Sequence, residues 1–216
     1  MPLGFVLEIV NRFVQKTDTR RPILIGIDGK DGAGKSQLAA LMASWLKTTS
    51  DRTIVHSSID FFHNPKAIRH QSGKESHVSF FEDSFNYQAL KTKLLDPLKN
   101  GSNNYYYLKH FDHRIDSELI VPKQPISEKV LLIFDGIFVH RDELAAYWDF
   151  SLYLDVPFEE TYRRMSIRDG CNPDPLNEAN TRWYLGQQLY IERCNPASRA
   201  SVVVDNSDYN NPKLKC

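Results

Sequence analysis

Phe5, Val6, Ile9, Val10, Phe13 and Val14 recur at helical spacing, so an amphipathic helix is expected to open the chain over about 4–17. Its stripe reads as a packing face. After the polar stretch from Thr17 to Arg21, Pro22 introduces Ile23-Leu24-Ile25-Gly26-Ile27-Asp28. That short apolar run suits a strand buried on both faces. Leu38, Leu41, Met42, Trp45 and Leu46 restore the helical period over 35–47, and Thr53-Ile54-Val55-His56 reads as a second strand. Residues 61–85 are rich in His, Ser and Phe without a clear period and are expected to be mostly loop. The pattern over 87–98 is helical until Pro97 disturbs it, and Gly101-Ser102-Asn103-Asn104 signals a turn. Segments 105–108 and 118–121 are then expected to pair as a small antiparallel excursion within about 100–125.

Alternation continues through the second half. Val130-Leu131-Leu132-Ile133-Phe134-Asp135 is the strongest strand signal in the chain. A short helix over 143–148 leads to a strand over 151–155 and a helix over 158–168. A Pro/Asn-rich loop, a helix over 178–193 and a last strand over 201–204 follow. Strands alternating with helices imply a mainly parallel sheet covered on both faces, a three-layer α/β fold.

At 216 residues and 41% hydrophobic content, the chain suits one such domain, 1–216. Lys plus Arg and Asp plus Glu both total 27, and this balance argues against a nucleic-acid partner. Cys171, Cys194 and Cys216 are odd in number and far apart. They match neither a metal-ligand spacing nor a disulfide framework, so a reducing compartment is expected. The N-terminus lacks a basic n-region, Glu8 interrupts its apolar stretch, and no run approaches the ~20 apolar residues of a membrane span. The expectation is a cytoplasmic protein with no membrane partner.

The sharpest chemical signal is Gly29-Lys30-Asp31-Gly32-Ala33-Gly34-Lys35-Ser36, which fits G-x-x-x-x-G-K-[ST] between a strand and a helix. Its glycines permit positive φ, and its backbone N–H groups with the helix N-terminus suit phosphate oxygens. Gly29, Asp31, Gly32, Ala33, Gly34, Lys35 and Ser36 are thus the expected nucleotide-binding residues. Lys35 would reach the β- and γ-phosphates, and Ser36 would bind Mg²⁺. Asp135, ending its strand before Gly136, is the expected second metal-orienting group. A plain turn aspartate is the competing reading.

A phosphate loop does not by itself choose between a kinase, a switch GTPase and an ATP-driven machine. The Asn-Lys-x-Asp guanine-reading element of a small GTPase is missing from the sequence. A kinase needs a carboxylate for the acceptor hydroxyl and cations for the transferring group. Asp60, directly after the second strand, is the candidate base; capping of a turn is its structural alternative. Arg164 and Arg168, four apart on one helix face, are the candidate cations, within a helical lid over about 163–185. Against this stands a solvated face with Glu160–Arg164 pairing.

The phosphate loop, Asp60-Phe61-Phe62, Asp83-Ser84-Phe85-Asn86, Phe111-Asp112-His113-Arg114, Phe134-Asp135-Gly136-Ile137 and Arg164 to Asp169 occur in the order seen in uridine kinases. The chain resembles the uridine kinase-like branch of the P-loop kinases, which also holds phosphoribulokinase-, pantothenate kinase- and nicotinamide riboside kinase-like enzymes. The resemblance implies the P-loop NTPase fold, with ATP (or GTP) and Mg²⁺ as cofactors. It also implies a small-molecule acceptor phosphorylated at a primary hydroxyl, for uridine kinases the 5′-hydroxyl of a nucleoside. Asp60 matches the base, Arg164 and Arg168 the lid arginines, and Asp83 an aspartate that holds the ribose hydroxyls. Phe111, Asp112 and His113 match the segment facing the nucleobase. A helix cap is the other reading of Asp83, and a partly buried structural histidine that of His113. The chain departs from the family where Phe61 and His63 flank Phe62, and in the compressed segment 111–114. Beside the nucleoside stand two other expectations. One is another acceptor, such as nicotinamide riboside, pantothenate or a sugar; the other is a non-catalytic nucleotide-binding regulator. The sequence leaves the oligomeric state open.

Overall fold

The computed structural model describes residues 2–17 and 21–215; Met1, the polar residues 18–20 and Cys216 lie outside it. Elements of the central architecture are numbered in chain order. Helix α1 (Gly4–Lys16) precedes β1 (Ile23–Gly29), α2 (Lys35–Thr49) and β2 (Thr53–Ser58). Helix α3 (His77–Asp83) and a longer helix α4 over 87–100 follow. Then come β3 (Val130–Asp135), β4 (Phe150–Asp155), α5 (Phe158–Asp169), α6 (Thr181–Cys194), β5 (Val202–Asp205) and β6 (Lys213–Lys215).

The six strands form one sheet in the order β6-β5-β4-β1-β3-β2, parallel except for the antiparallel edge strand β6. Alternation within each strand sends side chains into two cores. Ile23, Ile25, Ile27, Leu131, Ile133, Leu152 and Leu154 pack against α1 and α2. Leu24, Leu132 and Phe134 pack with Phe80, Phe81, Leu90, Leu94 and Tyr190 from α3, α4 and α6. These are the three expected layers. Ile27 pairs with Asp135, and Ser58 also pairs with Asp135, so β1, β2 and β3 end side by side. Everything that follows these ends opens at one edge of the sheet.

Three expectations need correction. Within 61–85, taken as mostly loop, α3 forms with Ser76 accepting from the Ser79 N–H at its N-cap. It is seven residues long, too short to show a period. Pro97 does not disturb α4, because a π turn over Lys91–Leu95 precedes it. The Lys93 carbonyl, which Pro97 has no N–H to bond, accepts from the Tyr107 N–H at 2.9 Å instead. The excursion is not one ladder of 105–108 with 118–121. Tyr105–Tyr106 pairs with Gln124–Pro125, and Phe111–Asp112 with Ser117–Glu118. Residues 108–110 are engaged elsewhere: Leu108 O accepts from Ser57 Oγ, and the His110 N–H donates to Phe61 O. The C-terminal antiparallel strand β6 was not anticipated. No helix among the described residues is long and apolar enough to cross a membrane.

Helices α3 and α6 touch at Gly186, where a Cβ would stand 2.5 Å from the Phe80 ring and 2.9 Å from His77 O. Gly186→Ala is therefore expected to cost about 1–3 kcal/mol of stability through overpacking. Urea unfolding checks this; a loss below about 0.5 kcal/mol would mean the two helices separate freely.

Candidate active site

The phosphate loop leaves β1 at Gly29 and enters α2 at Lys35. Gly32 and Gly34 take φ of +76° and +99°, a region that L side chains rarely adopt. A Cβ at Gly32 would meet Thr161 O at 2.6 Å, and one at Gly34 would meet Asn206 Nδ2 at 2.9 Å. The loop is therefore tightly backed on its outer side. Lys35 is buried and reaches across the loop, its Nζ donating to Lys30 O at 2.7 Å.

Asp135 sits on the α2 side of β3, where alternation with Ile133 places it. Its Oδ2 accepts from Ser36 Oγ at 2.7 Å, and its Oδ1 accepts from His56 Nε2 at 2.7 Å. The carboxylate is 2% exposed and bracketed by these two donors. The sequence reading missed His56. Strand alternation was the available signal, since His56 lies two residues before Ser58 and so on the same face of β2.

Asp60 lies in the 3₁₀ turn Ile59–Phe62 that follows β2. Capping of this turn falls to Ser58, whose Oγ accepts from the Asp60 N–H, and not to Asp60 itself. The Asp60 carboxylate has no hydrogen bond among the described residues and opens into a cleft of about 480 Å³. The cleft is shared with Asp31, Lys35, Ser36, Asp135, Arg164 and Arg168. Desolvation by the cleft walls raises the Asp60 pKa, with Asp31 and Asp135 adding repulsion; Lys35 and His113 oppose them.

The two lid arginines differ. Arg164 is 8% exposed, with Nε on Glu160 at 2.7 Å and Nη2 on the carbonyls of Asn206 and Ser207. Its guanidinium lies 3.7 Å from the centre of the Tyr209 ring, and its Nη1 is buried without a partner. It is thus a buried cation of the cleft wall, which it shares with Arg168 one helical turn on. Arg168 is exposed at the rim and forks onto its neighbour Asp169 at 2.6–3.0 Å. The expected Glu160–Arg164 pair does form, together with Arg163, and hydrogen bonds from these two arginines hold Glu160 down at about 2.

Among the residues expected to meet the acceptor, Asp83 ends α3 rather than capping the next helix, which Asn86 caps through Ala89 N–H. Asp83 Oδ2 accepts from Ser79 Oγ at 2.6 Å. Asn64 ties residues 83–85 to the Asp60 segment, its Nδ2 donating to the carbonyls of Asp83 and Phe85. Phe111 is 2% exposed and packed inward, so its ring is not offered to a base. Asp112 is engaged by Arg114, whose hydrogen bonds hold it well below the usual carboxylate range. His113 is exposed and lies 4.5 Å, ring to ring, from His63, which in turn lies 4.6 Å from Phe85. His63 Nδ1–H donates to Asp60 O, which fixes the tautomer and leaves Nε2 as an acceptor.

Two observations bear on whether these residues fit a nucleotide with its metal. The glycine backbone is a cradle with a buried unpaired Arg164 donor in its wall. Ser36 and Asp135 offer hard oxygen ligands, the donor set magnesium prefers. The fit is good. The sequence reading also passed over Asn206 and Tyr209. They follow β5 at the same edge as the phosphate loop, and their position after a parallel strand was the signal.

Comparisons with known proteins bear on the family and the fold. The profile of the Phosphoribulokinase / Uridine kinase family matches residues 24–172. A pantothenate kinase of Streptococcus gordonii is 31% identical over 181 residues, 80% of this chain and 57% of its own length. One from Streptococcus pyogenes serotype M5 is 28% identical over 92% of this chain and 66% of its own length. The chain thus spans under two thirds of these curated relatives. Among solved structures, a possible uridine kinase from Bacillus stearothermophilus superposes with a TM-score of 0.71. Its sequence identity is 22%, and 94% of this chain and 99% of that one are covered. A putative fructose transport system kinase from Silicibacter sp. TM1040 gives 0.66 at 22% identity, covering 89% and 95%. At that identity the two structures speak for the fold.

Burial lowers the His63 pKa from 6.5 to about 4. Between those values the unfolded chain binds the proton and the folded one does not. The stability contributed by the neutral ring is therefore present above pH 6.5 and lost as pH falls toward 4. His63→Phe is expected to flatten this loss, by on the order of 2 kcal/mol across the window. Urea unfolding at stepped pH measures it, and an unchanged slope contradicts the assignment.

Proposed function

The chain belongs to the phosphoribulokinase / uridine kinase family, and from that premise we propose that it is a small-molecule kinase. It transfers the γ-phosphoryl group of ATP (or GTP) to a primary hydroxyl. One observation carries the reading. The Asp60 carboxylate, with no hydrogen bond among the described residues, faces Lys35 and the Ser36–Asp135 pair within a single cleft.

The loop N–H groups and the start of α2 would bind the phosphates, and Lys35 Nζ, which now donates to the Lys30 carbonyl, would turn to their oxygens. Ser36 and Asp135 would hold Mg²⁺, which would supply charge neutralisation at the phosphates. Arg164 adds a fixed positive charge in a desolvated wall, with its Nη1 still free to donate. Arg168 joins only on leaving Asp169. Asp60 accepts the proton of the acceptor hydroxyl, and a raised pKa makes it a better base than an ordinary carboxylate. Most of the acceleration then comes from placement and charge.

The acceptor we propose is a nucleoside of the uridine or cytidine type, phosphorylated at its 5′-hydroxyl. Asp83 keeps one oxygen for a vicinal diol, and the paired His63 and His113 rings supply the stacking face that Phe111 does not. A second reading, pantothenate, is favoured by the curated relatives of that name.

A coupled ADP-release assay over nucleosides, nicotinamide riboside, pantothenate and sugars tests both. Asp60→Asn is expected to lower kcat by about 10²–10⁴-fold while keeping Mg·ADP affinity; unchanged turnover removes Asp60 as the base. Asp83→Ala is expected to raise KM for a nucleoside by about 10–100-fold. Robust turnover of pantothenate alone, indifferent to Asp83, replaces the nucleoside with the second reading.

A further inference from the structure

Asp28 is fully buried on the α6 side of β1, one residue before the phosphate loop. Its Oδ1 accepts from the Gly29 N–H at 2.7 Å. Its Oδ2 accepts from the His140 N–H at 3.0 Å, His140 Nδ1 at 2.8 Å and the Tyr190 hydroxyl. His140 Nε2 meets Ser151 Oγ at 2.9 Å, which completes an Asp–His–Ser chain. This is not a nucleophilic triad. Ser151 is 4% exposed, and its Oγ also accepts from the Ser201 N–H. The network is better understood as support for the loop.

The same helix that supplies Tyr190 reaches the loop a second time. Gln187 is 2% exposed, and its Oε1 accepts from the Asp31 N–H at 2.8 Å while its Nε2 donates to Trp183 O. Around this point the crown of the loop is packed by what flanks the expected lid. Lys30 Nζ donates to Val156 O at 2.7 Å and lies over the Phe158 ring that opens α5. Phe158 in turn meets Tyr184 of α6 edge to face at 4.7 Å. Gly32 lies against Thr161 O of α5. Lys30–Gly32 are thus braced by α5 and α6, on either side of the segment 170–180.

We infer that Gln187 and Tyr190 are positioning residues that clamp the phosphate loop from α6, Gln187 on the Asp31 amide and Tyr190 through Asp28 on the Gly29 amide. The consequence is geometric. Turning the Asp31 N–H toward Gln187 fixes the peptide that leads into Gly32, which lines the cleft together with Gly34. Because the expected lid runs into the first turn of α6, a shift of the lid that moves α6 also moves the loop. This deepens the kinase reading and rests on it only for the nucleotide arm of the test.

The test compares Gln187→Met, similar in size but without an acceptor, with Gln187→Glu, which keeps one. Tyr190→Phe removes a single hydroxyl. Hydrogen exchange of the Asp31 and Gly29 amides is read in the ligand-free protein, with β3 amides as a control for folding. Mg·ADP affinity is measured alongside by calorimetry. The expected result is Asp31 exchange about tenfold faster in Gln187→Met, retained protection in Gln187→Glu, and faster Gly29 exchange in Tyr190→Phe. Mg·ADP should bind about tenfold more weakly to the Met variant. Equal exchange in wild type and the Met variant overturns the clamp, as does equal acceleration by Met and Glu, which marks mere packing. Wild-type protein that binds no Mg·ADP overturns the nucleotide reading instead, and the exchange pattern alone then decides the clamp.

Discussion

A loop that binds phosphate must leave its amides unpaired on the ligand side, so its shape has to be held from behind. Here that constraint organises the C-terminal edge of the whole sheet. Asp28 takes the Gly29 amide, and Val156 after β4 takes Lys30 Nζ. Gln187 of α6 takes the Asp31 amide, and Asn206 after β5 donates to Ala33 O. Each brace comes from a different element, and the parallel register brings them together because neighbouring strands end in step. A one-residue slip of β1 would turn Asp28 to the wrong face, and one of β3 would do the same to Asp135.

The electrostatics of the cleft follow from the same crowding. Asp31, Asp60 and Asp135 converge on a space that also holds Lys35 and three arginines. Asp135 is held by Ser36 and His56, whereas Asp60 has no hydrogen bond among the described residues, and desolvation with repulsion from Asp31 and Asp135 raises its pKa against the pull of Lys35 and His113. Arg164, buried and tied to the loop after β5, contributes charge without the entropy cost of ordering a surface side chain.

The phosphate loop, the strands behind it and the strand-end acids were legible in the sequence because each has a local signature. Ile23 to Ile27 and Val130 to Phe134 are continuous apolar runs, and the glycines of 29–34 mark a backbone that side chains would obstruct. Contacts made across the sheet were not legible. Strand alternation could place His56 on the face of Ser58, and Asn206 at the end of a parallel strand, but only the topology joins His56, Gln187 and Asn206 to Asp135, Asp31 and Ala33. Local signals also misled where tertiary contacts overrode them. Pro97 reads as a helix breaker until the Tyr107 amide takes the carbonyl it frees. Phe111 reads as a stacking ring until it is found packed inward at 2% exposure. The family resemblance matched Arg164 to a lid arginine; its burial in the cleft wall depends on Tyr209 and the chain after β5, which nothing local announces.

The central claim is that the loop, Ser36 and Asp135 together form a site for a nucleotide with its metal. The most direct measurement is a calorimetric titration of ADP with and without Mg²⁺, on the wild type and on Asp135→Asn. The account predicts that Mg²⁺ tightens binding by about tenfold or more in the wild type and has little effect in the variant. Equal tightening in both proteins, or none in either, would contradict it.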